Sequence, residues 1–275
     1  MEKDNEYIAQ LKAAKSFIRA NTLKMPIEEY LAKSSLVLEK TQVPFMFSVV
    51  EGSPGKTLDY KCGWIHPQSL SSSVVPLIFG SFGEKDIVLD VAASPGSKFT
   101  EIAMLMENRG VAVANDQEER LDALMSNVAR LGVLNSIVIS LDGKNLGMEN
   151  MFNKVLLDAP CTALGSHPYA WERINDKSLI VMPDVQKKMI SSAFKALKPG
   201  GTLAYSTCTI TDKENESVIR YLLEKFENAK LENIELDLPH SSGLSEFGNE
   251  FRKTWRISPK DLDSEGFFIA KIKKE

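Results

Sequence analysis

From about residue 85 onward, short apolar runs alternate with longer stretches whose apolar residues recur at three- and four-residue steps. Ile87 to Val91 predicts a first strand, and Phe99 to Met106 continues with helical character. Val111 to Ala114 predicts a second strand. The helix after it places Leu121, Leu124, Val128 and Leu131 on one face and stops at Gly132, a natural C-terminal cap. Ile137 to Ile139 and Lys154 to Leu157 predict a third and a fourth strand. Gln186 to Leu197 predicts a helix closed by Pro199-Gly200-Gly201, Thr202 to Ser206 a fifth strand, and Glu214 to Phe226 a further helix. Leu231 to Leu236 and Phe267 to Ile272 add two more strands, and His240 to Glu250 a surface loop. Strand–helix alternation of this length implies a parallel sheet covered on both faces.

The first 65 or so residues are patterned differently. A helix over about Asn5 to Lys15 precedes a strand at Phe17 to Ala20, and Pro26 opens a short helix through Glu28 and Leu31. Strand-like runs at Leu36 to Leu38 and Phe45 to Val50 end in a Gly52-Ser53-Pro54-Gly55 turn. This is a small α/β module, residues 1–66, preceding a sheet domain over 67–275.

Composition narrows the class. Hydrophobic residues make up 43% and charged residues 25% of 275, enough apolar material for a substantial core. Three cysteines, Cys62, Cys161 and Cys208, cannot build a disulfide framework, and neither they nor three scattered histidines have zinc spacing, so no metal is expected. The charged start (Glu2, Lys3, Asp4, Glu6) has no apolar signal core, and no run reaches membrane-spanning length. The expectation is a reduced, soluble, cytoplasmic protein, monomeric by default. A net charge of −4 does not exclude a nucleic-acid partner, because binding needs only a local basic face. Lys12, Lys15, Arg19 and Lys24 lie close together, as do Arg252, Lys253, Arg256 and Lys260. Taken alone, either cluster is ordinary solvated charge.

Ligands of open α/β sheets bind at the carboxyl ends of the strands. The first strand ends in Asp90-Val91-Ala92-Ala93-Ser94-Pro95-Gly96-Ser97-Lys98, where small residues let backbone approach a ligand closely. The absence of GxGxxG counts against a nicotinamide or flavin dinucleotide. Asn115-Asp116 ends the second strand, where a carboxylate accepts hydrogen bonds from ribose hydroxyls. Asp142 follows the third strand and Asp158 the fourth. One such acid is a turn former; four on one rim favour a nucleoside-containing cofactor, either S-adenosylmethionine or a nucleotide. Cys161 lies just past the fourth strand and Cys208 just past the fifth, so two thiols can face one pocket. Cys62 is read as a small buried hydrophobe.

These segments carry a resemblance. Asp158-Ala-Pro-Cys161, Ser206-Thr-Cys208 and Ala92-Ala-Ser-Pro-Gly-Ser-Lys98 resemble the signature motifs of the Nol/Nop/Sun family of RNA 5-methylcytosine methyltransferases. Arg19-Ala-Asn-Thr-Leu-Lys24, His66-Pro-Gln-Ser-Leu-Ser-Ser72, Pro168-Tyr-Ala-Trp171, Leu197-Lys-Pro-Gly-Gly201, Glu214-Asn-Glu216 and Gly266-Phe-Phe-Ile-Ala270 match in order, so the similarity covers most of the chain. The family usually has Cys-Ala-Ala-Pro-Gly-Gly-Lys where this chain has Ala92, Ser94 and Ser97; it has Ser-Gly where Thr162-Ala163 stands and Pro-His where Pro259-Lys260 stands. Asp116 and Arg120 are four apart instead of five, which leaves Asn115 as an alternative ribose ligand.

The resemblance implies a Rossmann-like class I S-adenosylmethionine-dependent methyltransferase sheet with an N-terminal RNA-binding module. It implies methylation of cytosine carbon 5 in RNA, transfer RNA ahead of ribosomal RNA. Cys208 would add to carbon 6 as the nucleophile, Cys161 would assist release, and Asp158 would hold ring nitrogen 3 and the exocyclic amine. Donation to nitrogen 3 requires that Asp158 carry a proton. Lys98 would orient Asp158 and favour the nearby thiolate. Ala92, Ala93, Ser94, Pro95, Gly96, Ser97 and Lys98 would take the methionine part of the cofactor, Asp116 the ribose with Arg120 beside it, Asp142 the adenine side and Asp158 the methyl end. Arg19, Asn21 and Lys24 would hold RNA backbone. A non-catalytic RNA-binding or assembly factor of the same fold is the alternative from another class, and a nucleotide-dependent oxidoreductase falls with the missing GxGxxG.

Overall fold

The computed structural model describes residues 2–275. The N-terminal module holds α1 (Glu2–Ala13), β1 (Phe17–Ala20), α2 (Ile27–Lys33), β2 (Val37–Lys40), β3 (Met46–Glu51), α3 (Leu58–Lys61) and β4 (Ile65–Pro67). Its four strands form one antiparallel sheet in the order β2-β3-β1-β4. The expected 66/67 boundary therefore cuts the last strand of this sheet. The chain continues through α4 (Leu70–Leu77), β5 (Ile87–Asp90), α5 (Ser97–Leu105), β6 (Val111–Asn115), α6 (Leu121–Leu131), β7 (Ser136–Ile139) and β8 (Phe152–Asp158). Then follow α7 (Pro168–Arg173), α8 (Asp176–Ala196), β9 (Leu197–Thr207), α9 (Glu216–Lys225), β10 (Ala229–Glu232), β11 (Ser241–Ser242), β12 (Trp255–Ile257), α10 (Pro259–Leu262) and β13 (Phe267–Lys274). Among the described residues, no helix is long and apolar enough to cross a membrane.

The second sheet runs β11-β12-β13-β9-β8-β5-β6-β7, with β10 also on β13. Five strands, β5 to β9, are parallel as expected. The strands after them are antiparallel, so the sheet is mixed. The periodicity reads which residues extend but not in which direction they pair. The loop expected over His240 to Glu250 contains β11, and Pro199-Gly200-Gly201 lies inside β9 instead of capping a helix. The helix expected from Gln186 begins ten residues earlier, at Asp176, and carries Pro183 within it.

Strand residues alternate between two cores, one on each face of the large sheet. Val88, Ala112, Ala114, Leu156 and Ala204 pack with α4, α5 and α6. Leu89, Val113, Val155, Leu157 and Leu203 pack with α8 and α9. Burial on both faces explains the near-continuous apolar runs. The same alternation docks the module. Phe17 joins the α4–α5 core, with Phe45 and Met46, while Ile18 and Ala20 face Tyr30 and Leu36 in the module's own cluster. After β7 the chain crosses back over β5 to make β8, so strand order reverses between β5 and β8.

Candidate active site

Parallel strands bring their carboxyl ends to one rim, and the reversal opens a crevice there. Two cavities occupy it. One of about 460 Å³ is walled by Asn115, Asp116, Asp142, Pro160, Val185 and Met189, among others. The second, of about 380 Å³, is bounded by Ser72, Asp90, Lys98, His167, Glu265 and Phe267. Ala92, Ser94, Asp158 and Cys208 line both, so the two cavities meet at the acid and the thiol.

The sulfur atoms of Cys161 and Cys208 lie 3.3 Å apart, unbonded. Gly165 lets the two loops approach this closely: its N–H donates to the Cys208 carbonyl at 2.8 Å, and a Cβ there would meet that oxygen at 2.9 Å. Hydrogen bonding between the thiols divides their acidity. The bond from Cys161 favours the Cys208 thiolate and lowers its pKa, against burial, with Ser166 and the Lys98 charge helping. The same bond, with burial, pushes Cys161 well above the ordinary thiol value. Cys208 is thus the more acidic of the two thiols and Cys161 the less acidic.

Asp158 ends β8 between two donors: Lys98 Nζ reaches Oδ2 at 2.7 Å and Ser206 Oγ reaches Oδ1 at 2.7 Å. Both oxygens accept, as in a carboxylate. Burial draws the Lys98 ammonium down, but the charge and hydrogen bond of Asp158 outweigh it and hold Lys98 above its usual pKa. Burial, then the neighbouring Asp158 charge, push Asp90 up to about 8. That residue, read from sequence only as a strand-end acid, is buried near Lys98 and Asp158 and holds its proton more tightly than an ordinary aspartate.

The loop before α5 is built on Gly96, whose φ of +106° is left-handed and whose absent Cβ spares a 3.1 Å contact with Leu124. Asp116 braces this loop by accepting from the Ser94 and Gln117 amides, each at 2.8 Å. Arg120 donates to the Ser94 carbonyl at 2.8 Å and lies 3.5 Å from Asp116. Asn115 is spent on the Val91 and Leu141 backbone, which leaves Asp116 with the free acceptors of the two. Asp142 stands exposed at the cavity mouth, 3.4 Å from Lys144.

Two residues expected to hold RNA are placed elsewhere. Arg19 is 0% exposed and donates to Gln68, to the Ser97 carbonyl and to Thr100. Asn21 is buried and donates to the Gly63 and Leu131 carbonyls. Both join the module to the large domain, and neither presents a surface to RNA. The expectation passes to Lys24, which is exposed. The signal was present: in Phe17-Ile-Arg-Ala, alternation puts Arg19 on the side of Phe17, toward α5. Cys62, expected to be buried, is exposed.

The family model described as 16S rRNA methyltransferase RsmB/F matches residues 81–273. The chain is 38% identical over its whole length, and over 93% of the relative, to a tRNA (cytosine(49)-C(5))-methyltransferase of Pyrococcus abyssi. It is 37% identical to ribosomal RNA small subunit methyltransferase F of Vibrio atlanticus, of which 96% of this chain spans only 58%. A solved structure of NSun6 from Pyrococcus horikoshii with SFG superposes with a TM-score of 0.87 at 26% identity, covering 99% of this chain and 94% of that one.

Proposed function

The chain belongs to the family described as 16S rRNA methyltransferase RsmB/F, and from that premise we propose a transfer RNA substrate and a covalent route through Cys208. It is an RNA cytosine-5 methyltransferase, and S-adenosylmethionine is its methyl donor. Transfer RNA is favoured because the match to the archaeal tRNA enzyme runs over 100% of this chain at 38% identity, against 96% at 37% for the ribosomal enzyme.

The residues fit the donor. Leu141, Pro160, Val185 and Met189 offer an apolar wall for a purine, with Asp142 at its edge. Asp116 retains free lone pairs for ribose hydroxyls. Residues Ala92 to Lys98 would hold the methionine part, and Asp158 would stand at the methyl end. When bound, S-adenosylmethionine supplies the sulfonium methyl that carbon 5 takes.

The target base leaves its stack and enters the smaller cavity. The Cys208 thiolate adds to carbon 6, which breaks ring conjugation and makes carbon 5 enamine-like. Asp158 meets ring nitrogen 3 and the exocyclic amine, and the Lys98–Asp158 pair lends a proton to nitrogen 3 as charge develops. Once carbon 5 carries the methyl group, its proton passes to water in the open cavity, the electron pair of that bond restores the 5,6 double bond, and the bond between Cys208 sulfur and carbon 6 breaks with its electrons on sulfur. The Cys161 thiol donates to the departing sulfur, restoring the resting pair, and nitrogen 3 returns its proton.

The thiol separation over Asp158 carries this reading. Incubation with labelled S-adenosylmethionine and transfer or ribosomal RNA, followed by bisulfite sequencing, tests it. Label should enter transfer RNA, vanish with Cys208→Ala, and be trapped with Cys161→Ala as a protein–RNA adduct that survives denaturation. Methylation by Cys208→Ala at the wild-type rate rules the route out.

A further inference from the structure

Neither thiol loop is regular structure, so something must fix the sulfur atoms 3.3 Å apart. Two adjacent residues just before α9 reach both loops. Glu214 is fully buried. It accepts from the Thr162 amide at 3.0 Å and from the Thr162 hydroxyl at 2.5 Å, immediately after Cys161. Gln186, also fully buried, donates to Glu214 at 3.0 Å and to the Pro160 carbonyl at 2.8 Å, immediately before Cys161. Peptide groups on both sides of Cys161 are therefore clamped. Asn215, fully buried as well, does the same around Cys208: it accepts from the Thr207 hydroxyl at 2.6 Å and donates to the Thr209 carbonyl at 3.0 Å. The hydroxyls of Thr162 and Thr209 meet at 2.8 Å, which closes the circuit.

We propose that Glu214 and Asn215 act as one spacer that registers the releasing thiol against the nucleophile, Glu214 holding the Cys161 loop and Asn215 the Cys208 loop. Both are positioning residues, since neither touches a reacting atom. Burying a carboxylate is costly unless it is fully hydrogen-bonded, and here four donors converge on Glu214, with Thr211 the fourth at 2.9 Å. That cost is spent beside the thiols, where a displacement of about 1 Å can change a rate about 100-fold. The assignment to release rests on the covalent reading above; the assignment to spacing does not.

Two readouts separate them. The first needs no RNA: diamide takes two electrons and two protons from a close thiol pair, giving a disulfide and the reduced hydrazine. Closure between Cys161 and Cys208 should slow about tenfold in Glu214→Ala and recover in Glu214→Gln, whose amide can still accept from the Thr162 amide. Closure at the wild-type rate in Glu214→Ala overturns the spacer. The second is adduct partitioning with transfer RNA. Glu214→Ala should form the adduct within about threefold of the wild-type rate yet release it slowly, as Cys161→Ala does, whereas Asn215→Ala should slow formation itself. General damage would lower both steps together in both variants and overturns the division of roles. Slowed closure with no trapped adduct in Cys161→Ala leaves the spacer standing and removes the covalent reading. S-adenosylmethionine binding by calorimetry reports folding; should Glu214→Ala fail it, Thr162→Val, which deletes the hydroxyl contact alone, decides by the same two readouts.

Discussion

Two sulfur atoms sharing one hydrogen bond cannot be equally acidic, and the surroundings decide which yields its proton. Around Cys208 they are the Cys161 thiol, Ser166 and the Lys98 charge. Alkylation of Cys208, followed by mass spectrometry, should therefore show a pH midpoint below 9, the ordinary thiol value. Cys161→Ala and Lys98→Met should each move it upward, the first by more, because the thiol bond is the larger influence. A midpoint indifferent to both would mean the thiols do not share the bond. The cysteines and Asp158 were legible in the sequence because each sits in a short motif at a strand end. Gln186 and Glu214 were not: a polar side chain says nothing of a partner about 25 to 50 residues away, and Glu214 read only as part of a matching tripeptide.

Elements fit together here through alternation. On β1, Phe17 enters the α4–α5 core and Arg19 follows it inward, reaching the first turn of α5 next to Lys98. Arg19 is a bolt between module and catalytic loop. Burial draws its pKa down to about 10, still above neutrality, and Glu101 lies 3.6 Å away. Arg19→Met should cost about 3 kcal/mol of stability, because Gln68, Thr100 and the Ser97 carbonyl lose their partner in the dry interior. Denaturant midpoints check this, and a loss near zero would mean the interface relaxes around the gap. Sequence periodicity placed most strands within a few residues, since their apolar runs are continuous. It missed the antiparallel pairing of β10 to β13 and the start of α8, which depend on neighbours and on a proline tolerated inside a helix.

At the scale of the whole molecule, the shared α4–α5 core makes module and large sheet one packing unit. Its stability should depend on pH through a group the reaction does not use. Burial pushes Glu101 up to about 8 from an ordinary 4.5, with Arg19 only partly opposing. Between those values the folded chain keeps a proton that the unfolded chain has lost, so raising the pH disfavours folding. The loss accumulates from about pH 4.5 and levels off above about 8, where both forms are ionised. Glu101→Gln, which cannot titrate, should therefore gain stability relative to wild type as the pH is raised from 5 to 8. Parallel urea titrations at the two pH values measure that difference, and a constant gap would place the proton elsewhere.

The order of the large sheet has a consequence for biosynthesis. β9, whose end carries the nucleophile, is flanked by β8 on one side and β13 on the other. A ribosome makes β9 by residue 207 but supplies residues 267–274 only later. Until then one edge of β9 is unpaired, and the nascent chain holds both sulfhydryls without Phe267, which walls the smaller cavity. Completion of the catalytic rim is thereby postponed until residues 267–274 have been translated.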